Sequence, residues 1–125
     1  MHENEIATTV LDSCFKIHRE LGPGLFESVY EEILFFELEK KRLEVKRQTA
    51  IPVIWGEIKM DLGFRADLII NNKIILEIKS IEKIAPVHKK QVLTYLRLMN
   101  IHLGLLINFN EAQLKDGITR VVNNL

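Results

Sequence analysis

The sequence predicts an α/β fold, a three-layer-like sandwich in which a central mixed β-sheet is flanked by helices. Two neighbouring apolar runs, Leu68-Ile69-Ile70 and Ile74-Ile75-Leu76, have no polar alternate positions, so strands built from them need cover on both faces of their sheet. Helical periodicity that would supply this cover lies at the N-terminus and again after Pro86. The order helix, helix, strands, helix, strand is that of a layered α/β domain.

Taken in order, Glu5 to Leu21 places Ile6, Val10, Cys14, Ile17 and Leu21 three or four residues apart, the period of an amphipathic helix, and Gly22-Pro23-Gly24 stops it. A second helix is predicted from about Phe26 to Lys41, with Val29, Tyr30, Ile33, Leu34 and Leu38 on one side. The basic run Lys40-Lys41-Arg42 suits the negative end of that helix. Alternation and β-branched residues predict a strand from Glu44 to Ile54, with Pro52 marking an edge position or a bulge. Trp55-Gly56-Glu57 is a turn, Ile58 to Met60 pairs back, and Phe64 to Ile70 leads through Asn71-Asn72 into Lys73 to Lys79. Pro86 opens a helix through Met99 that Asn100 closes, and Ile101 to Asn108 is a buried strand. Ile118 to Val122 is either a short edge strand or a final helical turn.

At 125 residues the chain fits one domain, residues 1–125, and can bury well over half of its unfolded surface around one core. An apolar fraction of 47% with 27% charged residues is globular, and no apolar run approaches the roughly 18 to 20 residues that span a bilayer. Met1 to Ile6 carries acidic residues and no apolar signal segment, so the expected location is cytoplasmic, away from membranes. Seventeen Lys and Arg balance 17 Asp and Glu, which excludes coating of nucleic acid by bulk charge but leaves room for a local basic patch. The single cysteine, Cys14, falls at an apolar helical position and is expected to be structural.

The core pattern does not explain three charged residues on the central strands: Asp67, Glu77 and Lys79. An ionised carboxylate buried without a partner costs several kcal/mol, so these groups require a cation, an ion pair or a water-filled cleft. Alternation puts Glu77 and Lys79 on one face, and the turn decides whether Asp67 joins them. A two-residue turn at Asn71-Asn72 sets Asp67 opposite Leu76; a three-residue turn, Asn71 to Lys73, or a bulge sets it opposite Glu77. In the second geometry two carboxylates and a backbone carbonyl, that of Ile78, suit magnesium and leave positions for water and a phosphate oxygen. Lys79 would orient that water and stabilise charge growing on the phosphate. A structural ion pair between Glu77 and Lys79 is the alternative, and this spacing alone does not separate the two.

Two helices offer matching polar groups: Glu27 and Tyr30 at i and i+3, beside Glu31, and Gln91 and Tyr95 at i and i+4. Lys83, His88, Lys89, Lys90 and Tyr95, around the helix that carries Gln91, are candidate contacts for a nucleic-acid backbone, against the plainer reading of a solvated face. His18, His88 and His102 lack metal-ligand spacing with one another or with cysteine. Trp55 is expected to pack rather than to stack on a base.

The segment Gly24-Leu25-Phe26-Glu27-Ser28-Val29-Tyr30 resembles the motif that names the GxxExxY proteins, assigned to the PD-(D/E)XK nuclease superfamily. The resemblance continues through Arg65-Ala66-Asp67-Leu68, Glu77-Ile78-Lys79, Ala85-Pro86-Val87-His88, Gln91 to Leu96 and Leu105 to Asn110, nearly the whole chain. It implies a restriction-endonuclease-like α-β-β-β-α-β core, with Asp67, Glu77 and Lys79 as the catalytic triplet. Glu27 would be an added acidic group reaching a second metal or its waters, and Gln91 a helix-borne helper. Ala66 stands where the superfamily's name has proline; that proline contributes backbone shape and no ligand. The implied activity is a nuclease using Mg2+, or Mn2+ in its place, on nucleic acid, DNA before RNA, with a homodimer or partner protein completing the grip. The alternative is a nucleic-acid-binding or protein-interaction module whose nuclease-like site does little chemistry.

Overall fold

A computed structural model describes all residues, 1–125. Helix α1, Glu3–Leu21, starts at a capping box in which the His2 ring accepts from the Asn4 amide and Glu5 accepts from the His2 amide. It ends at Gly22, whose φ of 70° is open to glycine. Helix α2 spans Glu27–Lys40. Strands β1 (Val45–Ala50), β2 (Val53–Trp55), β3 (Ile58–Met60), β4 (Arg65–Ile70) and β5 (Ile74–Lys79) precede helix α3 (Pro86–Met99). Strand β6 (Leu103–Asn108), a 3-10 turn at Leu114–Gly117 and strand β7 (Ile118–Val122) complete the chain, so the last segment is an edge strand and not a helical turn. No helix is long and apolar enough to cross a membrane.

Five strands form one mixed sheet in the order β1-β4-β5-β6-β7, with β5 and β6 parallel and joined by the α3 crossover, and the other pairs antiparallel. Helices α1 and α2 cover the face bearing Leu68, Ile70, Leu76 and Leu105. Helix α3 covers the face bearing Ile69, Ile75 and Leu106 through Val92, Tyr95 and Leu96. This is the expected sandwich, with the apolar runs of β4, β5 and β6 at its centre. Cys14 is fully buried in the first core, where burial pushes its thiol far above the ordinary range, in keeping with an inert packing role.

The predicted strand from Glu44 to Ile54 is corrected. It stops at Ala50, and beyond Pro52 the chain turns away into β2, which pairs only with β3 as a separate hairpin. Proline has no amide to continue the ladder, so the break falls where the donor is missing.

Gly104 lets α3 lie close to the sheet. A Cβ there would stand 2.6 Å from Val92 Cγ1 and 3.3 Å from Leu96 Cδ1, and the stiff χ1 of valine leaves little room to yield. Gly104→Ala is therefore expected to destabilise the domain by about 1–3 kcal/mol in urea unfolding. Unchanged stability would mean that α3 has slack above β6.

Candidate active site

The turn between β4 and β5 contains three residues. Ile70 pairs with Ile74, Ile69 with Ile75 and Leu68 with Leu76, while Asn71 and Asn72 take positive φ of 52° and 54°, a conformation asparagine tolerates. Carried one step further, this register sets Asp67 opposite Glu77. Asp67 and Glu77 stand two positions from the α3-facing Ile69 and Ile75 and share their face, so Asp67, Glu77 and Lys79 lie beneath α3.

Past Leu68 and Leu76 the two strands are joined crosswise through these side chains. The Asp67 amide donates to Glu77 Oε2 at 2.8 Å, and the Ile78 amide donates to Asp67 Oδ2 at 2.8 Å. The N–H and C=O of an extended residue point the same way, so the Ile78 carbonyl also faces the Asp67 strand. Glu77 is buried, and burial first, then the negative charge of Asp67, pushes its carboxyl up to about 8; the nearby Lys79 ammonium pulls the other way with less effect. Asp67 and Lys79 are half-buried.

The loop between α1 and α2 is fastened to the end of β5. Glu27 Oε2 accepts from the Ser80 amide at 2.9 Å, and Ser80 Oγ donates to the Leu25 carbonyl at 2.6 Å. Tyr30 is not a site group. It is fully buried, stacks on Phe109 at 4.4 Å, donates to the Gly22 carbonyl and accepts from the Leu25 amide, so it holds the loop that presents Glu27. No three His, Cys, Asp or Glu side chains converge, and the carboxylate of Glu27 is engaged by the Ser80 amide.

Sequence reasoning missed Gln48. Its amide donates to Glu31 Oε1 at 2.7 Å and to Asp67 Oδ1 at 3.2 Å, while Arg47 pairs with the same buried Glu31 at 3.0 Å. Gln48 takes a φ of 46°, unfavourable for a residue with a Cβ, and falls where the β1–β4 pairing passes from Arg47 to Thr49. No local signal marks a glutamine for that conformation; the contacts that impose it come from α2 and β4.

On α3, Gln91 is half-buried one turn before Tyr95. Tyr95 is only 6% exposed, and burial, followed by the charges of Glu77 and Asp67, raises its phenol above the ordinary range. Its ring lies between α3 and the sheet, close enough to Glu77 and Asp67 to feel their charge. His88 Nδ1 accepts from the Ala85 amide at 2.9 Å and so caps α3, whereas Lys83, Lys89 and Lys90 are exposed. His18 spends its Nε2 on the Glu111 carbonyl.

The donor set suits a hard cation. Two carboxylates are held together although one is buried, and a cation between them reverses the sign of their interaction. With the Ile78 carbonyl they supply oxygen ligands alone, the preference of magnesium, which also keeps several waters. A cavity of about 410 Å3, lined by Ala50, Pro52, Lys59, Asp61 and Met99, lies elsewhere and includes none of the triplet.

The sequence model described as the PD-(D/E)XK nuclease superfamily matches residues 4–121. No curated protein and no solved structure matches the chain.

Proposed function

The chain belongs to the PD-(D/E)XK nuclease superfamily, and we propose that it is a magnesium-dependent nuclease hydrolysing phosphodiester bonds of nucleic acid beside Asp67, Glu77 and Lys79. The observation that carries this reading is the three-residue turn, which puts Asp67 and Glu77 on one face with Lys79 two residues on. The superfamily's nucleases typically use divalent metals, and here Asp67, Glu77 and the Ile78 carbonyl would hold the ion. Bound there, magnesium supplies Lewis acidity and cancels the repulsion of the carboxylates.

This chain's own residues do the rest. Lys79 orients the attacking water and stabilises the charge that grows on the phosphate during in-line displacement. Neutral Tyr95 and Gln91 offer hydrogen-bond donors from above, and Gln48 and Glu31 fix the Asp67 carboxylate. Glu27 holds the Ser80 amide and with it the end of β5.

Purified protein is expected to cut DNA, tested before RNA, when magnesium or manganese is added, and to stop in chelator. Magnesium-dependent binding without any cleavage would replace this reading with that of a binding module.

A further inference from the structure

The β2–β3 hairpin leaves the sheet between Ala50 and Arg65, which are paired neighbours on β1 and β4. Extended by three residues, the β4–β5 register sets Arg65 opposite Lys79, so the hairpin springs from the end of the sheet that carries the triplet. It pairs with no other strand, and an isolated two-stranded hairpin is marginal in water. Yet it exposes Trp55 at 77%, Ile58 at 57% and Ile54 at 47%. The expectation that Trp55 packs is thus corrected. At the hairpin's base the half-exposed Phe64 sets its ring edge-on to Tyr95 at 6.3 Å, and Tyr95 in turn lies near Asp67 and Glu77.

Charge indicates what covers this surface. Lys59, the cross-strand partner of Ile54, takes part in no ion pair, and neither do Lys79, Lys83 and Lys89 near the same end of the sheet; outside the Asp67–Glu77 pair the carboxylates beside them in sequence that are likewise unpaired are Glu57 and Glu82, which these lysines outnumber. A second apolar protein face would desolvate such ammonium groups without pairing them. A nucleic-acid strand supplies phosphates for the cations and flat base faces for the indole.

We propose that the Val53–Met60 arm holds unpaired nucleotides of the substrate, one base stacking on Trp55 while the phosphates pass Lys59 towards Asp67 and Glu77. In a closed duplex the base faces are taken by their neighbours, so the domain prefers single-stranded or flap-bearing nucleic acid. The destination of the strand rests on the nuclease reading; its capture by the arm does not.

Trp55 is the only tryptophan, so its emission reports the arm alone. In chelator, where nothing is cut, a single-stranded oligothymidylate of roughly a dozen nucleotides is expected to quench that emission. A blunt duplex of similar length should do so only at much higher concentration. Trp55→Ala should weaken binding of a labelled strand, followed by anisotropy, about tenfold, and Trp55→Phe should restore most of it. Melting curves of both variants check that they fold. Equal affinity for strand and duplex, or an unchanged affinity in Trp55→Ala, overturns the proposal. So does an emission maximum that shifts to the blue as protein concentration rises without oligonucleotide, because a second copy then covers the arm. Hydrolysis of bis(p-nitrophenyl) phosphate by the parent protein in magnesium is measured alongside. Its absence with quenching intact counts against the nuclease reading and leaves the arm's role standing.

Discussion

Asp67→Asn is expected to lower the cleavage rate in saturating magnesium at least about 10³-fold, and Lys79→Ala about 10²- to 10³-fold. The two losses have different origins. Asparagine keeps the shape of aspartate and an oxygen that can accept from the Ile78 amide, so Asp67→Asn removes a charge from the cation site while leaving the crosswise bond available. Lys79 is half-buried, forms no ion pair and makes no hydrogen bond through its ammonium, so its truncation leaves the fold intact and removes only the positive charge beside the phosphate. Melting temperatures near that of the parent confirm that folding is not the cause. Retention of more than about a tenth of the parent rate in both variants would remove the mechanism.

The second large effect is on stability. In chelator the folded protein holds the Glu77 carboxyl up to about 8, well above the ordinary carboxylate range it regains on unfolding. The folded state therefore binds the proton more tightly. The resulting stabilisation is full below the ordinary range and is lost as pH rises through about 8, with a slope of at most about 1.4 kcal/mol per pH unit. Saturating magnesium displaces that proton and binds only the folded pair, so it should flatten the slope and raise the melting temperature by on the order of 10 °C near neutral pH. Glu77→Gln should melt at nearly the same temperature with or without magnesium, and in chelator should lose the decline towards pH 8. A parent protein whose melting temperature ignores magnesium would point instead to a structural cluster of Asp67, Glu77 and Lys79.

The centre of the fold was legible because β4, β5 and β6 are apolar on both alternations, which leaves only a sheet covered on two sides. The site was legible as three unexplained charges, but not as a geometry. Asn71, Asn72 and Lys73 support a two- or a three-residue turn equally well as sequence, and the choice falls to the packing of Ile70 against Ile74 in the core. Residues whose roles come from distant contacts were hidden. Tyr30 looked like a polar partner of Glu27 until its hydroxyl was seen tying Gly22 to Leu25, and Gln48 gave no sign that Glu31 and Asp67 would draw it to a positive φ. Trp55 does not pack as its sequence context suggests: it is lifted into solvent because Pro52 ends β1 early.

The central claim is that the carboxylates of Asp67 and Glu77 share one cation. Crystals soaked in manganese, with anomalous scattering used to locate the ion, test it most directly. The expected map has one strong peak about 2.1 Å from a carboxylate oxygen of each residue, with the Ile78 carbonyl and waters completing the octahedron. An anomalous peak elsewhere, with the crosswise hydrogen bonds between β4 and β5 undisturbed, would contradict it.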